Sequence, residues 1–329
     1  MVAKSALQSQ SGLAMGDVQC IDIHSHIGWV HEDIREDQGV QHESNGWLMA
    51  PMANNRVAAI VVSTIADRAI TKWGTNGKAG EPGAMAYNDR APRPGECWHD
   101  NNLQLQRIEH WIDKLGLARI TKPEEIGGHP GVILAIEGGC PLEGRLDRLE
   151  QYYARGVRSF QLVHYRANEF ADVQTSPPRH GGLSALGAEA VREMNRLGII
   201  VDVTHSTFEA VNHTAEASSR PIVLSHATMA FGEPHPRFVS PDYVRVVAQT
   251  GGVIGVQAAA FRGRGMLGFV ENVKRMIDAV GIDHVSIGTD MGTETWPRSR
   301  RVYSPILRRS RRFRRSYPTR DSPMKKFGR

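Results

Sequence analysis

Five histidines and two carboxylates stand where a metal site would need them. His24, His26, His164, His205 and His226 each fall at or just past the end of a short apolar run, and Glu137 and Asp290 end two others. Neutral imidazole nitrogens suit zinc, and one carboxylate can bridge two cations. In Asp22-Ile-His24-Ser-His26 an extended backbone, with its period of two, turns both imidazoles to the same side, as two bonds to one metal require. Glu137, in Ala135-Ile-Glu137-Gly-Gly, is costly at a buried strand end unless it is paired or metal-bound. His205 and His226 follow in Asp202-Val-Thr-His205-Ser and Leu224-Ser-His226-Ala-Thr, and Asp290, in Gly288-Thr-Asp290, is placed to carry a proton. Singly, each residue is more often a hydrogen-bonded core group. Their recurrence at strand ends is the signal.

That signal requires elements that bring the strand ends together. Eight apolar, β-branched runs read as strands: Cys20–Ile23, Val57–Val62, Val132–Ile136, Val157–Val163, Ile199–Val203, Ile222–Leu224, Val253–Val256 and His284–Ile287. Helical patterns alternate with them. Leu103–Leu115 puts Leu105, Ile108, Ile112 and Leu115 on one face, and Leu186–Leu197 does so with Val191, Met194 and Leu197. Thr121-Lys-Pro-Glu124 has the form of a capping box, and Gly198 and Gly281 stand where helices would end. This alternation predicts a (β/α)8 TIM-like barrel, whose strand ends meet at one mouth. Thr71–Asp100, rich in Gly, Pro and Asn, reads as a long loop at that mouth. Gly263-Arg-Gly265-Met-Leu-Gly268 has dinucleotide-loop spacing but no acidic strand end to follow, and a plain flexible loop is preferred.

At 329 residues the chain can hold one barrel of roughly 250 residues with extensions. No apolar run approaches the roughly 20 residues that span a bilayer, and the start shows no secretory pattern, so a cytoplasmic protein is expected. Three widely spaced cysteines, without a Cys-x-x-Cys pair, argue against a disulfide framework or a thiolate zinc site. The net charge of +5 conceals an asymmetry: from Met291 onward 13 basic residues face 2 acidic ones, so the body before them is mildly acidic. The expected organisation is a flexible leader over 1–18, a hydrolase barrel over 19–295, and an Arg-rich, disordered tail over 296–329 that offers no amphipathic segment for a normal eighth helix.

With these residues in place, the chain resembles the membrane (renal) dipeptidase family of zinc peptidases, from about Asp22 to Asp290. The likeness is densest in Ile136-Glu137-Gly-Gly, in Gly156-Val-Arg-Ser-Phe-Gln-Leu-Val-His164 and in Met194-Asn-Arg-Leu-Gly-Ile-Ile-Val-Asp-Val-Thr-His205. It continues through Leu224-Ser-His226 and Arg237-Phe-Val-Ser-Pro-Asp242. The resemblance implies two zinc ions held by His24, His26, Glu137, His205 and His226, with Glu137 as the bridge. It further implies that His164 touches the substrate carbonyl, that Arg237 binds the substrate carboxylate and that Asp290 handles the proton. Two departures stand out. The family's first motif reads His-x-Asp where this chain has His24-Ser-His26, as in the wider amidohydrolases; after Asp290 the family continues Phe-Asp-Gly, whereas this chain gives Met291-Gly-Thr.

The function expected is hydrolysis of the amide bond of dipeptides, or of similar small carboxylate-bearing substrates, by a metal-bound hydroxide. Alternatives are N-acyl amino acid or lactone hydrolysis, or an inactive barrel cut short whose basic tail attracts nucleic acid. No membrane partner is expected, nucleic acid only non-specifically through the tail, and a homodimer is left open.

Overall fold

The computed structural model describes residues 20–26, 57–70, 91–127, 129–229, 235–258 and 265–290. Ten strands pair in parallel: β1 (Cys20–Ser25), β2 (Val57–Ile65), β3 (Ala118–Arg119), β4 (Gly131–Glu137), β5 (Val157–Gln161), β6 (Ile200–Asp202), β7 (Leu224–Met229), β8 (Phe238–Val239), β9 (Ile254–Gln257) and β10 (Val285–Gly288). The ladder runs β6-β5-β4-β2-β1-β10-β9-β7, with β8 beside β7 and β3 beside β4. Its ends join through Val223, whose N–H donates to the Val201 carbonyl (2.9 Å) and whose carbonyl accepts from the Val203 N–H (2.8 Å). The eight main strands thus close into a TIM-like ring, at the positions the apolar runs predict except for β7, which begins at Leu224 where its expected run Ile222–Leu224 ends.

Six helices lie among the described residues: α1 (Glu96–Lys114), α2 (Asp147–Ala154), α3 (Ala185–Leu197), α4 (Phe208–Ala217), α5 (Pro241–Gln249) and α6 (Gly265–Val280). On α1, Leu105, Ile108 and Ile112 are buried as expected, but Leu115 lies past the helix end and is 38 % exposed. The helix also starts earlier than its apolar spacing indicates, taking in residues 96–100 of the expected loop; residues 71–90 of that loop lie outside the described residues. In the added turns the buried positions are polar: Asn101 is fully buried and donates to Thr64 Oγ1 at 2.7 Å. Gln104 pairs its amide with the end of β2, donating to the Ile65 carbonyl and accepting from the Ile65 N–H, both at 2.8 Å. The capping carboxylate near Thr121 is Glu125 rather than Glu124; it accepts from the N–H groups of Thr121 (2.7 Å) and Lys122 (3.2 Å). Gly198 closes α3 in the left-handed conformation, its N–H bonded to the Met194 carbonyl, and Gly281 follows α6 with its N–H on the Ile277 carbonyl. Gly265 and Gly268 belong to the first turn of α6, so that part of the expected flexible loop is helix.

The chain divides after Thr293 into two units, and every described residue lies in the first. The expected leader and tail, and the missing eighth helix, lie outside the described residues. On β10, Ile287 is 39 % exposed, an apolar outward position with little cover.

Buried Asp172 organises the loop between β5 and α3. Its carboxylate accepts from the N–H groups of Arg179 (2.7 Å), His180 (3.0 Å) and Gly182 (2.8 Å). Burial alone would raise its pKa, but these donors hold it below the ordinary carboxylate value. A depressed carboxylate contributes stability that is present at neutral pH and lost as pH falls through its folded pKa. Asp172→Asn is therefore expected to cost about 2 kcal/mol at pH 7, a fall of several degrees in Tm, and the gap from the parent should shrink in melts near pH 3. A gap that stays constant with pH would remove the charge from the account.

Candidate metal centre

The closed ring gathers the sequence-chosen residues at one mouth. His24 lies in β1 and His26 directly after it; Glu137 is the last residue of β4; His164, His205 and Asp290 follow β5, β6 and β10 within three residues. Arg237 immediately precedes β8. His226 lies inside β7 rather than past its end, because β7 runs on to Met229. The polar letters of Ser225-His226-Ala227-Thr228 suggest a loop, yet all four are buried.

Glu137 is the hub. Its Oε1 stands 2.9 Å from His205 Nε2, 3.5 Å from both His226 Nε2 and His164 Nε2, and 3.7 Å from His24 Nε2, while its Oε2 is 3.4 Å from His26 Nε2. Asp290 Oδ1 lies 3.4 Å from His26 Nε2 and 4.0 Å from His24 Nε2. Arg237 reaches in from the side, its Nη2 3.3 Å from His205 Nε2 and its Nη1 donating to Gln174 Oε1 at 2.5 Å. His205 and Asp290 hold left-handed backbone conformations, φ 72° and 53°, of a kind that persists where surrounding structure imposes it and that clusters at functional sites.

Three combinations of donors are compact enough for an ion: His24, Glu137 and His226; His24, His26 and Asp290; and Glu137, His164 and His205. Proton placement supports the fit. His26 Nδ1 can only donate to the Ser63 carbonyl (2.9 Å), which leaves the neutral ring with a bare lone pair at Nε2, facing two carboxylate oxygens. Buried His24 Nε2 has no hydrogen-bond partner at all. Lone pairs that face carboxylates in a buried site repel one another until a cation stands between them. Asp290, chosen from the sequence for the proton, also falls among the candidate ligands.

The electrostatics agree. Burial pushes Glu137 well above the ordinary carboxylate range, with Asp290 and Asp67 adding to the shift. Burial likewise pushes His24 and His205 well below the ordinary imidazole range, and His226 down to about 3. Burial alone would raise Asp290, but His226, His26 and His24 hold it far below its usual value. Such displaced groups in one cleft mark a functional site.

The supporting carboxylates and amides escaped the sequence reading. Asp67, fully buried just past β2, accepts from His164 Nδ1 (2.7 Å) and from the N–H groups of Tyr165 (3.1 Å) and Arg166 (3.2 Å). Asp22 accepts from the N–H groups of Thr289 (2.9 Å) and His24 (3.2 Å), stapling β1 to the segment that carries Asp290; burial lifts it to about 6. Gln257 donates to Asp290 Oδ2 at 2.6 Å. Position at a strand end was the available signal for Asp67 and Gln257; nothing in the sequence singles out Gln174.

A closed parallel barrel with imidazoles and carboxylates gathered at its mouth defines the class, a TIM-like barrel with a candidate metal centre. The profile of the membrane dipeptidases, peptidase family M19, matches residues 117–301, and the chain belongs to that family. It is 31 % identical over 191 residues to the dipeptidase verJ of Clonostachys rogersoniana, covering 56 % of this chain and 49 % of that one. It is 39 % identical over 137 residues to an uncharacterized dipeptidase of Schizosaccharomyces pombe, covering 41 % and 34 %. The chain thus spans half or less of the length of these curated relatives. Its fold is similar to that of a metallo peptidase from Rhodobacter sphaeroides liganded with a phosphinate mimic of the dipeptide L-Ala-D-Ala, at a TM-score of 0.68 and 19 % identity over 92 % of this chain and 94 % of that one. No helix among the described residues is long and apolar enough to cross a membrane.

Proposed function

We propose that the chain hydrolyses the amide bond of dipeptides, or of similar small carboxylate-bearing substrates, using two zinc ions held by His24, His26, Glu137, His205 and His226. The observation that carries this reading is the placement of one buried carboxylate, Glu137, within 3.7 Å of five imidazole Nε2 atoms. Bound zinc would supply Lewis acidity and bring the pKa of water to about 7. The family supports the peptidase activity, and the phosphinate ligand of the Rhodobacter sphaeroides protein supports a dipeptide as substrate. The proposed compartment is the cytoplasm, supported by three cysteines, Cys20, Cys97 and Cys140, that are widely spaced in sequence and form no Cys-x-x-Cys pair.

The chain's own residues divide the remaining work. Arg237 offers a planar fork to the substrate carboxylate, and Gln174 fixes the guanidinium from behind. His164 donates through Nδ1 to Asp67, which fixes the ring at the mouth beside the place of the reacting carbonyl. Asp290 accepts the proton of the attacking water and returns it to the leaving amine, with Gln257 fixing the rotation of its carboxylate.

The test is metal analysis of the purified full chain with a hydrolysis screen over dipeptides, N-acyl amino acids and lactones. About two zinc ions per chain and a preference for dipeptides are expected; a folded sample that takes up no metal when zinc is supplied would reject the reading. Arg237→Lys replaces the fork by a point charge. It should raise KM roughly tenfold or more for dipeptides with a free terminal carboxylate and much less for their amides. Equal effects on both would take Arg237 out of substrate binding.

A further inference from the structure

We propose that the Ser225 hydroxyl is a positioning group that fixes the tautomers of His24 and His226 together, under the direction of buried Asp202. The inference rests on reading the site as a metal centre, and it deepens that reading by explaining why the imidazoles arrive there with bare Nε2 atoms.

Ser225 Oγ lies 3.3 Å from His24 Nδ1, 3.2 Å from His226 Nδ1 and 3.2 Å from Thr204 Oγ1. All four residues are at most 2 % exposed, so the protein itself must satisfy these atoms. A hydroxyl has one proton to give and two lone pairs to receive. Asp202 Oδ1 already faces two backbone N–H donors, so it accepts, and the direction of the network is set there. Its Oδ1 takes the Thr204 hydroxyl proton at 2.6 Å, together with the N–H groups of Thr204 (3.0 Å) and Ser225 (3.2 Å). Thr204 Oγ1 has then spent its proton and accepts, from the Ser225 N–H (2.8 Å) and from the Ser225 O–H. Both lone pairs of Ser225 Oγ remain, and they match the two imidazole Nδ1–H groups.

In that assignment each hydroxyl proton is given once, and the Ser225 N–H is shared between Asp202 Oδ1 and Thr204 Oγ1. The consequence is that both rings carry their hydrogen on Nδ1 and turn a bare Nε2 toward Glu137 Oε1, at 3.7 and 3.5 Å. That is the tautomer a metal ligand needs. One serine thereby prepares two rings that arrive from strands on different parts of the chain, β1 and β7.

The test uses the full chain labelled with nitrogen-15 histidine. In the metal-free parent, two-bond proton–nitrogen spectra should show His24 and His226 as Nδ1–H with bare Nε2. Thr204→Val cuts the link to Asp202 and frees the Ser225 proton; one of the two rings should switch to the Nε2–H form, and Thr204→Ser should restore both. Ser225→Ala should weaken zinc binding about 10- to 100-fold in chelator competition, with the circular-dichroism spectrum kept. Parent rings found in the Nε2–H form, or Ser225→Ala and Thr204→Val variants that fold, keep the parent's tautomers and bind zinc as tightly, would overturn the proposal. If the parent takes up no zinc, the metal-centre reading fails, while the tautomers still decide the role of Ser225.

Discussion

Glu137→Gln is expected to leave the barrel folded, to abolish retention of at least one of the two metal ions and to lower kcat by a hundredfold or more. Removing mere supporting partners of metal ligands costs about 10- to 100-fold, and Glu137 is more central than any of them. Its two oxygens face five imidazole nitrogens, so no other residue can take over the bridge. An amide of the same shape carries no charge and can present one oxygen only, which bridges two cations poorly. The fold should survive because a buried carboxylate without a cation is itself costly. Melts of the metal-free proteins should therefore place the variant level with the parent or above it, while added zinc raises the Tm of the parent more than that of the variant. Equal zinc content and an unchanged rate would remove Glu137 from the site.

The barrel was legible because its strands are apolar on both faces, which writes each one as a continuous β-branched run, Val57–Val62 and Val132–Ile136 being the clearest. The ligand candidates were legible for a related reason: chemistry at a barrel mouth hangs on strand ends, so a polar residue that interrupts such a run announces itself. The same rule misplaced the end of β7. Inside the barrel the wall of the candidate site is itself polar, and Ser225-His226-Ala227-Thr228 continues the strand while reading as a departure from it.

What stayed hidden is partnership across sequence distance. Asp67 and His164 are 97 residues apart, and Arg237 and Gln174 are 63 apart; neither pair has a local pattern. The first turns of α1 were hidden by another mechanism. Asn101 is fully buried and donates to Thr64 Oγ1, so its polarity lies on the inner face of the helix, where periodicity expects apolar residues.

The wall that carries Ser225 and His226 also sets the second large effect, on stability: Gly288→Ala should cost upwards of about 3 kcal/mol and leave most of the protein insoluble. A Cβ at residue 288 would fall 1.8 Å from the Ser225 carbonyl oxygen, and one at Gly255 would fall 1.9 Å from the same atom. The cause is local. Pairing between β7 and β9 shifts register between Leu224 and Ala227, and the Ser225 carbonyl fills the space that side chains from β9 and β10 would otherwise occupy. Neither neighbour can retreat cheaply, because the obstructing atom is backbone and β10 is held by β9 on one side and β1 on the other. The added methyl would also touch the His226 Cα at 3.4 Å, so the displaced Ser225 peptide lies next to that histidine. Gly198→Ala provides the comparison: its φ of 82° disfavours a side chain, but nothing lies within 4 Å of the new Cβ. Backbone strain alone should cost that variant about 1–2 kcal/mol. Urea titration of soluble material should rank Gly288→Ala far below Gly198→Ala, and the surviving fraction should bind less zinc. If the two variants unfold at the same midpoint with full zinc content, the close packing around Ser225 does not limit the barrel.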